Sequence, residues 1–339
     1  MRAKIFIAVA LSLLLLGVGS SAPAGAQAEP KLTVMVGGIE KIIYLPAMLT
    51  QRLGYFKQMG VNVTLFDEGA GQDAELEMLA GKVDVTVGFY DHNIDLQSKG
   101  KATEAVIILD RVPGEALVVS QRSNIKSLAD LKGKRIGVTS LGSSTNFLAN
   151  YLVTKGGADS TQYTPLAVGA GNTLIAALQQ NRIDAAVTTE PTVSRLEKIG
   201  LAHVLVDMRT AAGTRGALGG TYPASSLYMR TDFVNSHKEA VRRMVGAFVK
   251  TLQYLQTHSA AQVADQMPED YYVGDKSLYL KALAASMNMF NPTGTMPPDG
   301  PPTVLKVLAT FNKDLDPTKI DLKKTYTDEF VQSALMMKK

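Results

Sequence analysis

The chain has 339 residues, of which 46% are hydrophobic, and its 35 Lys and Arg residues against 31 Asp and Glu give a formal net charge of +4 at pH 7. Proteins that neutralise nucleic-acid phosphates need a marked basic excess, so this near balance argues against nucleic acid as a partner. The sequence has no cysteine, which excludes disulfides, a thiol nucleophile and a cysteine-ligated metal.

The N-terminus has the pattern of a cleaved export signal. Arg2 and Lys4 precede an apolar run at 5–18, which small residues follow. The run is shorter than the roughly 20 apolar residues that span a bilayer, and no cysteine follows it for lipid attachment. Cleavage after Ala26 or Ala28 fits; the second site assigns 1–28 to a signal peptide and leaves 311 residues, with 33 basic and 31 acidic side chains. We therefore expect a soluble periplasmic protein.

Strand and helix patterns alternate along the rest of the chain. In the first half, strands are predicted at 32–36, 61–66, 83–87, 105–109 and 116–120, and helices at 46–57 and 73–80. The succession then begins again, with helices at 127–131 and 143–155 and strands at 135–138, 164–168, 184–187 and 203–206. Such alternation favours α/β lobes with mostly parallel sheets flanked by helices.

Two helix ends, 100 positions apart, share a detail. Gly81 and Asn181 each stand between an apolar helix and a strand, where a left-handed C-cap favours Gly or Asn. This match predicts two lobes of related architecture. A strand at 225–230 and a helix at 238–256 follow, and a proline-rich stretch at 291–302 is expected to be an exposed loop.

The residues after the second lobe are expected to return to the first lobe. We assign 29–117 to the first part of lobe 1, 118–224 to lobe 2, and 225–339 to the return. Two crossings between lobes predict a cleft that closes about a hinge.

Three segments carry a resemblance to a known family. They are Leu53-Gly54-Tyr55-Phe56-Lys57 with Gly60-Val61, Ser127-Leu128-Ala129-Asp130-Leu131-Lys132-Gly133-Lys134-Arg135-Ile136-Gly137-Val138, and Thr189-Glu190-Pro191. The sequence resembles periplasmic solute-binding proteins for nitrate, taurine and aliphatic sulfonates, in the NMT1-like group that includes thiamine-pyrimidine binding proteins. The resemblance implies a type II periplasmic-binding-protein fold and delivery of a small-molecule ligand to the permease of an ABC importer. It implies neither catalysis nor a cofactor, and a monomer is expected.

Candidate ligand contacts follow the first and third strands, because ligands bind at the carboxyl ends of strands in open α/β sheets. The first segment, 37–44, offers backbone at Gly38 and Ile39, the cation of Lys41 and the hydroxyl of Tyr44. The alternative is a simple turn with a solvated lysine. The second segment, 88–92, offers Tyr90 and His92, whereas Asp91 is expected to cap the following helix.

Two further segments belong to the second lobe. Residues 139–146 follow a strand and open a helix, so N–H groups at the helix start favour an anionic head group. The candidates there are Ser143, Ser144, Thr145 and Asn146, and the resemblance places ligand contacts in the matching loop. Thr189 and Glu190, together with Arg215 and Tyr222 from a loop at 213–222, complete the predicted set. Glu190 has a second interpretation, as the favourable negative charge in the first turn of the next helix.

Enzyme motifs are missing from the sequence. It contains no G-x-S-x-G, H-E-x-x-H or strand-linked G-x-G-x-x-G pattern, and its four histidines lack metal-ligand spacing. Thiamine-pyrimidine synthases of this fold carry a cysteine-rich motif that this chain lacks. We expect a sulfonate, taurine-like or aromatic carboxylate ligand. A neutral pyrimidine and a sensory role remain as alternatives.

Overall fold

The structure is a computed structural model that describes residues 29–272 and 274–336. The expected signal peptide at 1–28 lies outside the described residues. Within them, no helix is both long enough and apolar enough to cross a membrane.

The described strands form two five-stranded sheets. In chain order they are β1 (Lys31–Val36), β2 (Asn62–Asp67), β3 (Val85–Phe89), β4 (Thr103–Ile108), β5 (Glu115–Ser120), β6 (Arg135–Val138), β7 (Thr164–Ala167), β8 (Ala185–Thr189), β9 (Ala202–Asp207) and β10 (Ser225–Arg230). The first sheet has the order β2-β1-β3-β10-β4 and the second has the order β7-β6-β8-β5-β9. Because each position in one order has a counterpart in the other, the two lobes share one architecture, as the sequence predicts.

One strand in each sheet runs antiparallel to its neighbours, and it is the strand that arrives from the other lobe. β5 pairs antiparallel with β8 and β9, and β10 pairs antiparallel with β3 and β4. The chain therefore changes sheet between Ile108 and Glu115, before the position 117/118 expected from the sequence. It returns at Ser225, after helix and loop residues that follow β9.

Helices cover the sheets and fill the C-terminal part. They are α1 (Leu45–Arg52), α2 (Tyr55–Gln58), α3 (Gly71–Leu79), α4 (Asp91–Ser98), α5 (Ser144–Lys155), α6 (Asn172–Gln179), α7 (Thr192–Lys198), α8 (Ala211–Leu218), α9 (Thr231–Ser236), α10 (Lys238–Thr257), α11 (Ala260–Ala264), α12 (Lys276–Ser286), α13 (Gly300–Phe311) and α14 (Glu329–Met336). α10 corresponds to the helix predicted at 238–256, and its apolar side chains are buried against α1, α2 and α14. α13 contacts both α4 of the first lobe and α5 of the second.

Two local predictions are corrected. The helix predicted at 46–57 is interrupted at Gly54, whose φ of 69° takes the left-handed conformation and separates α1 from α2. The stretch 291–302 is only partly exposed, because Asn291 and Met296 are buried. Pro301 and Pro302 belong to the first turn of α13, where proline lacks no hydrogen bond that the helix requires.

The paired helix ends at Gly81 and Asn181 have the predicted conformation. Their φ angles are 74° and 52°, and Asn181 is the one non-glycine residue with positive φ in the described ranges. Both residues follow the helix C-cap and turn the chain into β3 and β8, whose bounds lie 100 positions apart. This geometry positions two equivalent strand ends at the cleft.

We predict that Asn181→Val lowers the free energy of unfolding by about 1–2 kcal/mol relative to Asn181→Gly, because a β-branched side chain is strained at positive φ. Urea denaturation of both variants measures the difference. The control is Gln180→Val at the preceding residue, whose φ is −82°. An equal loss in both valine variants would contradict the conformational explanation.

Candidate ligand-binding site

Strand ends of both lobes meet at a small cavity, here called the inner chamber. Its volume is about 10 Å³, the space for the centre of roughly one water molecule. It is lined by Lys41, Ile43, Tyr44, Gly71, Glu115, Thr139, Ser143, Ser144, Thr145 and Thr189. Three of the four predicted segments therefore come together here, and the fourth, 88–92, lies directly behind the chamber.

A wider outer groove, of about 330 Å³, lies next to the chamber and also has walls from both lobes. It is lined by Gly38, Ile39, Glu40, Lys41, Asp67, Gly69, Gly169, Ala170, Gly171, Asn172, Thr173, Pro191, Thr192 and Arg195. Lys41 lines both spaces, so it marks the passage from the groove to the chamber.

Lys41 is buried, not solvated as in the alternative interpretation. Its ammonium group donates hydrogen bonds to the carbonyls of Gly37 at 2.7 Å and Gly69 at 3.0 Å. Burial lowers the pKa of Lys41 to about 8, opposed by the nearby carboxylates of Glu115, Asp67 and Asp73. Lys41 is thus a partly desolvated positive charge at the chamber wall.

The start of α5 forms the opposite wall. Ser143 is the N-cap residue, but its hydroxyl caps no backbone N–H and instead donates to the carbonyl of Ser140 at 2.7 Å. The Thr145 hydroxyl accepts a bond from the Thr139 N–H at 2.9 Å. These hydroxyls hold the loop in place while the N–H groups of the first helical turn keep their positive end toward the chamber.

Asp91 connects the two lobes, and the prediction that it caps α4 is wrong. Its carboxylate accepts one hydrogen bond from the Ser144 hydroxyl and one from the Tyr222 hydroxyl, each at 2.8 Å. α4 has no side-chain cap at its start. Because Asp91 is fully buried, these two hydroxyls stabilise its charge, while burial raises its pKa.

His92 is also fully buried, behind Ser144. Its Nδ1 lies 2.9 Å from Glu75 Oε2, and its Nε2 lies 3.4 Å from the Ser144 hydroxyl. Burial alone would lower the pKa of His92, but Glu75, Asp91 and Asp95 together raise it to about 9. The histidine therefore carries its proton at neutral pH.

Ser144, His92 and Glu75 have the composition of a hydrolase triad but not its hydrogen bonding. The Ser144 hydroxyl donates to Asp91, so its proton does not point at the imidazole. A protonated His92 has no lone pair with which to accept that proton. Through the bond from Ser144 to Asp91, this arrangement joins the lobes.

Besides His92 and Tyr222, four predicted contacts line neither the chamber nor the groove: Tyr90, Asn146, Glu190 and Arg215. The hydroxyl of Tyr90 is bonded to Thr325, and its ring packs edge-on against Tyr326 in the core. Asn146 uses its amide within its own lobe, on the Gly142 N–H and the Tyr163 hydroxyl. Neither residue lines the chamber or the groove, because each side chain satisfies its polar atoms inside the protein.

Glu190 and Arg215 have structural surroundings as well. Glu190 accepts from the Ser194 N–H at 3.0 Å, in the first turn of α7, and pairs with Arg209 at 2.5 Å. This agrees with the second interpretation of Glu190. The loop expected at 213–222 is wrong in its first part, because α8 occupies Ala211–Leu218 and leaves Arg215 exposed on its surface.

The sequence analysis missed Glu115 and the loop at 169–173. Glu115 is the first residue of β5 and only 2% of it is exposed. A lone glutamate before an apolar run gave no signal for a site. The loop at 169–173 did carry a sequence signal for a site. Gly169-Ala170-Gly171 follows a strand and precedes α6, and this position after a strand is the criterion that identified the other segments.

We predict that His92 stabilises the protein in a pH-dependent manner. Its folded pKa of about 9 exceeds the reference value of 6.5, so its contribution is complete below pH 6.5 and disappears as the pH rises through 9. The difference in unfolding free energy between the wild type and His92→Gln should fall by about 3 kcal/mol at most across this window. Urea denaturation of both proteins at several pH values measures it. A difference that does not change with pH would contradict the charged pair with Glu75.

Comparison with known proteins places the chain in a family. Residues 43–261, more than half of the chain, match the family model described as NMT1/THI5 like. A solved structure of a protein from Bordetella bronchiseptica RB50 is 35% identical, covers 92% of this chain and 98% of its own, and superposes with a TM-score of 0.88.

More distant structures share the fold alone. The ligand-binding component of an ABC-type import system from Staphylococcus aureus is 14% identical, with 90% and 99% of the two chains covered and a TM-score of 0.70. The alkanesulfonate-binding protein SsuA from Xanthomonas axonopodis pv. citri, bound to MOPS, is 19% identical, with 89% and 99% covered and a TM-score of 0.67.

A curated relative has an enzyme's name. The 4-amino-5-hydroxymethyl-2-methylpyrimidine phosphate synthase of Schizosaccharomyces pombe is 25% identical over 160 residues, which are 47% of this chain. The match spans 45% of the synthase, less than half of its length. From the family model, the Bordetella structure and the two lobes, we conclude that the chain belongs to the NMT1/THI5-like family and has the two-lobed periplasmic-binding-protein fold.

Proposed function

We propose that this protein is the periplasmic solute-binding component of an ABC importer. It captures a small organic solute with an anionic group between its lobes and delivers it to a membrane permease. The observation that carries the proposal is the inner chamber, whose walls come from both lobes and whose volume of about 10 Å³ is far too small for a solute to enter unless the lobes separate.

The connections between the lobes are suited to such a movement. The chain crosses at residues 109–114 and again before Ser225, next to each other in the two sheets. Away from these crossings, polar bonds such as Ser144 to Asp91 and the Ile42 N–H to the Glu190 carbonyl at 3.1 Å join the lobes at the chamber. On the side of the C-terminal helices, α13 packs against α5 through apolar side chains such as Phe311 and Phe147. Two short crossings between separate sheets favour a hinge.

An anionic group on the solute agrees with the charges of the chamber. The N-terminal end of α5 and the ammonium group of Lys41 face the chamber from opposite lobes. The α3 N-terminus contributes Gly71, where a Cβ atom would lie 3.3 Å from His92 Nε2 and 3.7 Å from the Tyr44 hydroxyl. A carboxylate or sulfonate between these groups replaces lost hydration with charge-assisted hydrogen bonds.

Binding without catalysis is supported by the same residues. His92 holds its proton through Glu75, so it is no general base at neutral pH.

We predict that a solute of the right class raises the melting temperature of the mature protein. At 100 times its dissociation constant, a ligand adds about 2.7 kcal/mol to the stability of the folded state. A dye-reported thermal shift against sulfonates, carboxylates, nitrate and pyrimidines tests this, because the chain has no Trp for intrinsic fluorescence. A selective shift with a pyrimidine and with no anion would overturn the anionic part of the proposal.

Ser144→Asp is expected to abolish binding while the protein stays folded. The new carboxylate would face Asp91 across the cleft, so that like charges oppose closure of the lobes and repel an anionic solute. The affinity should fall by about a hundredfold or more, as measured by isothermal titration of the best compound from the panel.

The matched control is Ser160→Asp, in the loop between α5 and β7 and remote from the chamber. It adds the same charge and should leave the affinity unchanged. Unchanged binding in Ser144→Asp would show that the start of α5 does not hold the solute.

A further inference from the structure

Glu115 lies at the floor of the inner chamber, where the chain has just crossed into the second lobe. Its position is fixed by the backbone, because it pairs with Thr189 of β8 and its carbonyl accepts from the Met208 N–H at 3.0 Å. Its side chain therefore points into the chamber from the most rigid part of the cleft, the sheet itself.

The carboxyl of Glu115 is buried without a partner. Its Oε2 atom accepts no hydrogen bond from any described residue. Within the same residues, no ion pair joins it to Lys41, whose ammonium group is held by the carbonyls of Gly37 and Gly69. A buried polar atom without a partner is costly, so an unsatisfied acceptor aimed at a ligand space indicates a missing donor.

The other buried carboxylates near the chamber have partners within the protein. Asp91 accepts hydrogen bonds from two hydroxyls, and Glu75 forms an ion pair with His92 at 2.9 Å, although its Oε2 accepts no hydrogen bond from the described residues. Burial raises the pKa of Glu115 well above its usual value, with Asp91 adding to the rise and Lys41 and His92 opposing it. A donor that arrives with the solute would stabilise the ionised carboxylate.

We propose that Glu115 selects solutes that carry an N–H donor in addition to an anionic group. The solute class is an amino- or amidino-substituted sulfonate or carboxylate, with its anion toward Lys41 and the start of α5 and its N–H group on Glu115. This inference rests on the proposed function and assigns the second pole of the same site. A simple anion offers no donor to the ionised carboxylate of Glu115 when the lobes close around it.

The test compares matched probes that differ by one amino group: 3-aminopropane-1-sulfonate with propane-1-sulfonate, and 4-aminobenzoate with benzoate. Calorimetric titration at neutral pH should give the amino compound of at least one pair about tenfold or more higher affinity, the gain expected from a charge-assisted hydrogen bond. In Glu115→Gln, which keeps the shape and removes the charge, this preference should fall to about threefold or less.

Glu115→Leu is a second variant, because replacing an unpartnered buried group by an apolar one preserves folding. It should bind both members of a pair with equal affinity. The control is Asp110→Asn, which changes an equally buried carboxyl whose two oxygens also lack partners among the described residues but which does not line the chamber. It should keep the wild-type preference.

The outcomes separate this inference from the function on which it rests. Equal affinities within each pair, or tighter binding of the simple anion, would overturn the role of Glu115 and leave the importer function standing. A preference that survives in both Glu115 variants would also overturn it. Binding of none of the four probes, with a pyrimidine binding instead, would overturn both the anionic solute and the bipolar site.

Discussion

The reversal of one strand in each sheet determines how the cleft is built. Because β5 and β10 each enter the sheet of the opposite lobe antiparallel to the strands beside them, the chain crosses at the same edge where the parallel strands end. The carboxyl ends of β1 and β3 then face those of β6 and β8 across a narrow gap. The polar side chains of the inner chamber come from these strand ends or from the start of β5, the crossing strand. The same strands therefore form both the site and the connection between the lobes.

The position of the site forces charges into the interior. Lys41, Asp91, His92 and Glu115 lie at the junction of two hydrophobic lobes, where isolated charges are strongly disfavoured. The protein meets this cost by pairing: carbonyls surround the lysine, hydroxyls from the other lobe hold Asp91, and Glu75 neutralises the histidine. Glu115 departs from the pattern, and its open acceptor is the feature that distinguishes a recognition site from a satisfied polar core.

Sequence patterns were sufficient for the elements and for the equivalence of the lobes. Gly81 and Asn181 indicated that the lobes are equivalent, because a left-handed helix end accepts few residue types. This constraint is local, so the sequence alone reveals it. The segments that face the cleft were also predicted, because they follow directly after strands and the strands could be located in the sequence. Individual contacts were less predictable: Tyr90 turned to Thr325, and Arg215 lies on a helix, because tertiary packing decides side-chain direction. Glu115 gave no local signal, as its role depends on which strand crosses between lobes.

The stability of the closed form depends more on contacts in the chamber than on contacts at the exposed mouth of the cleft. The exposed pair of Lys198 and Asp275, which joins α7 to the α12 N-cap across the cleft mouth, contributes little because water screens both partners. The buried hydrogen bond from Ser144 to Asp91 joins the lobes, but it forms between protein groups and does not depend on which solute is bound. A solute shifts the balance between open and closed lobes only through groups that it contacts in the closed form. In the function proposed here, those groups are Lys41, the start of α5 and Glu115, so the chemical selectivity of the chamber and the energy available for closing it would have the same origin.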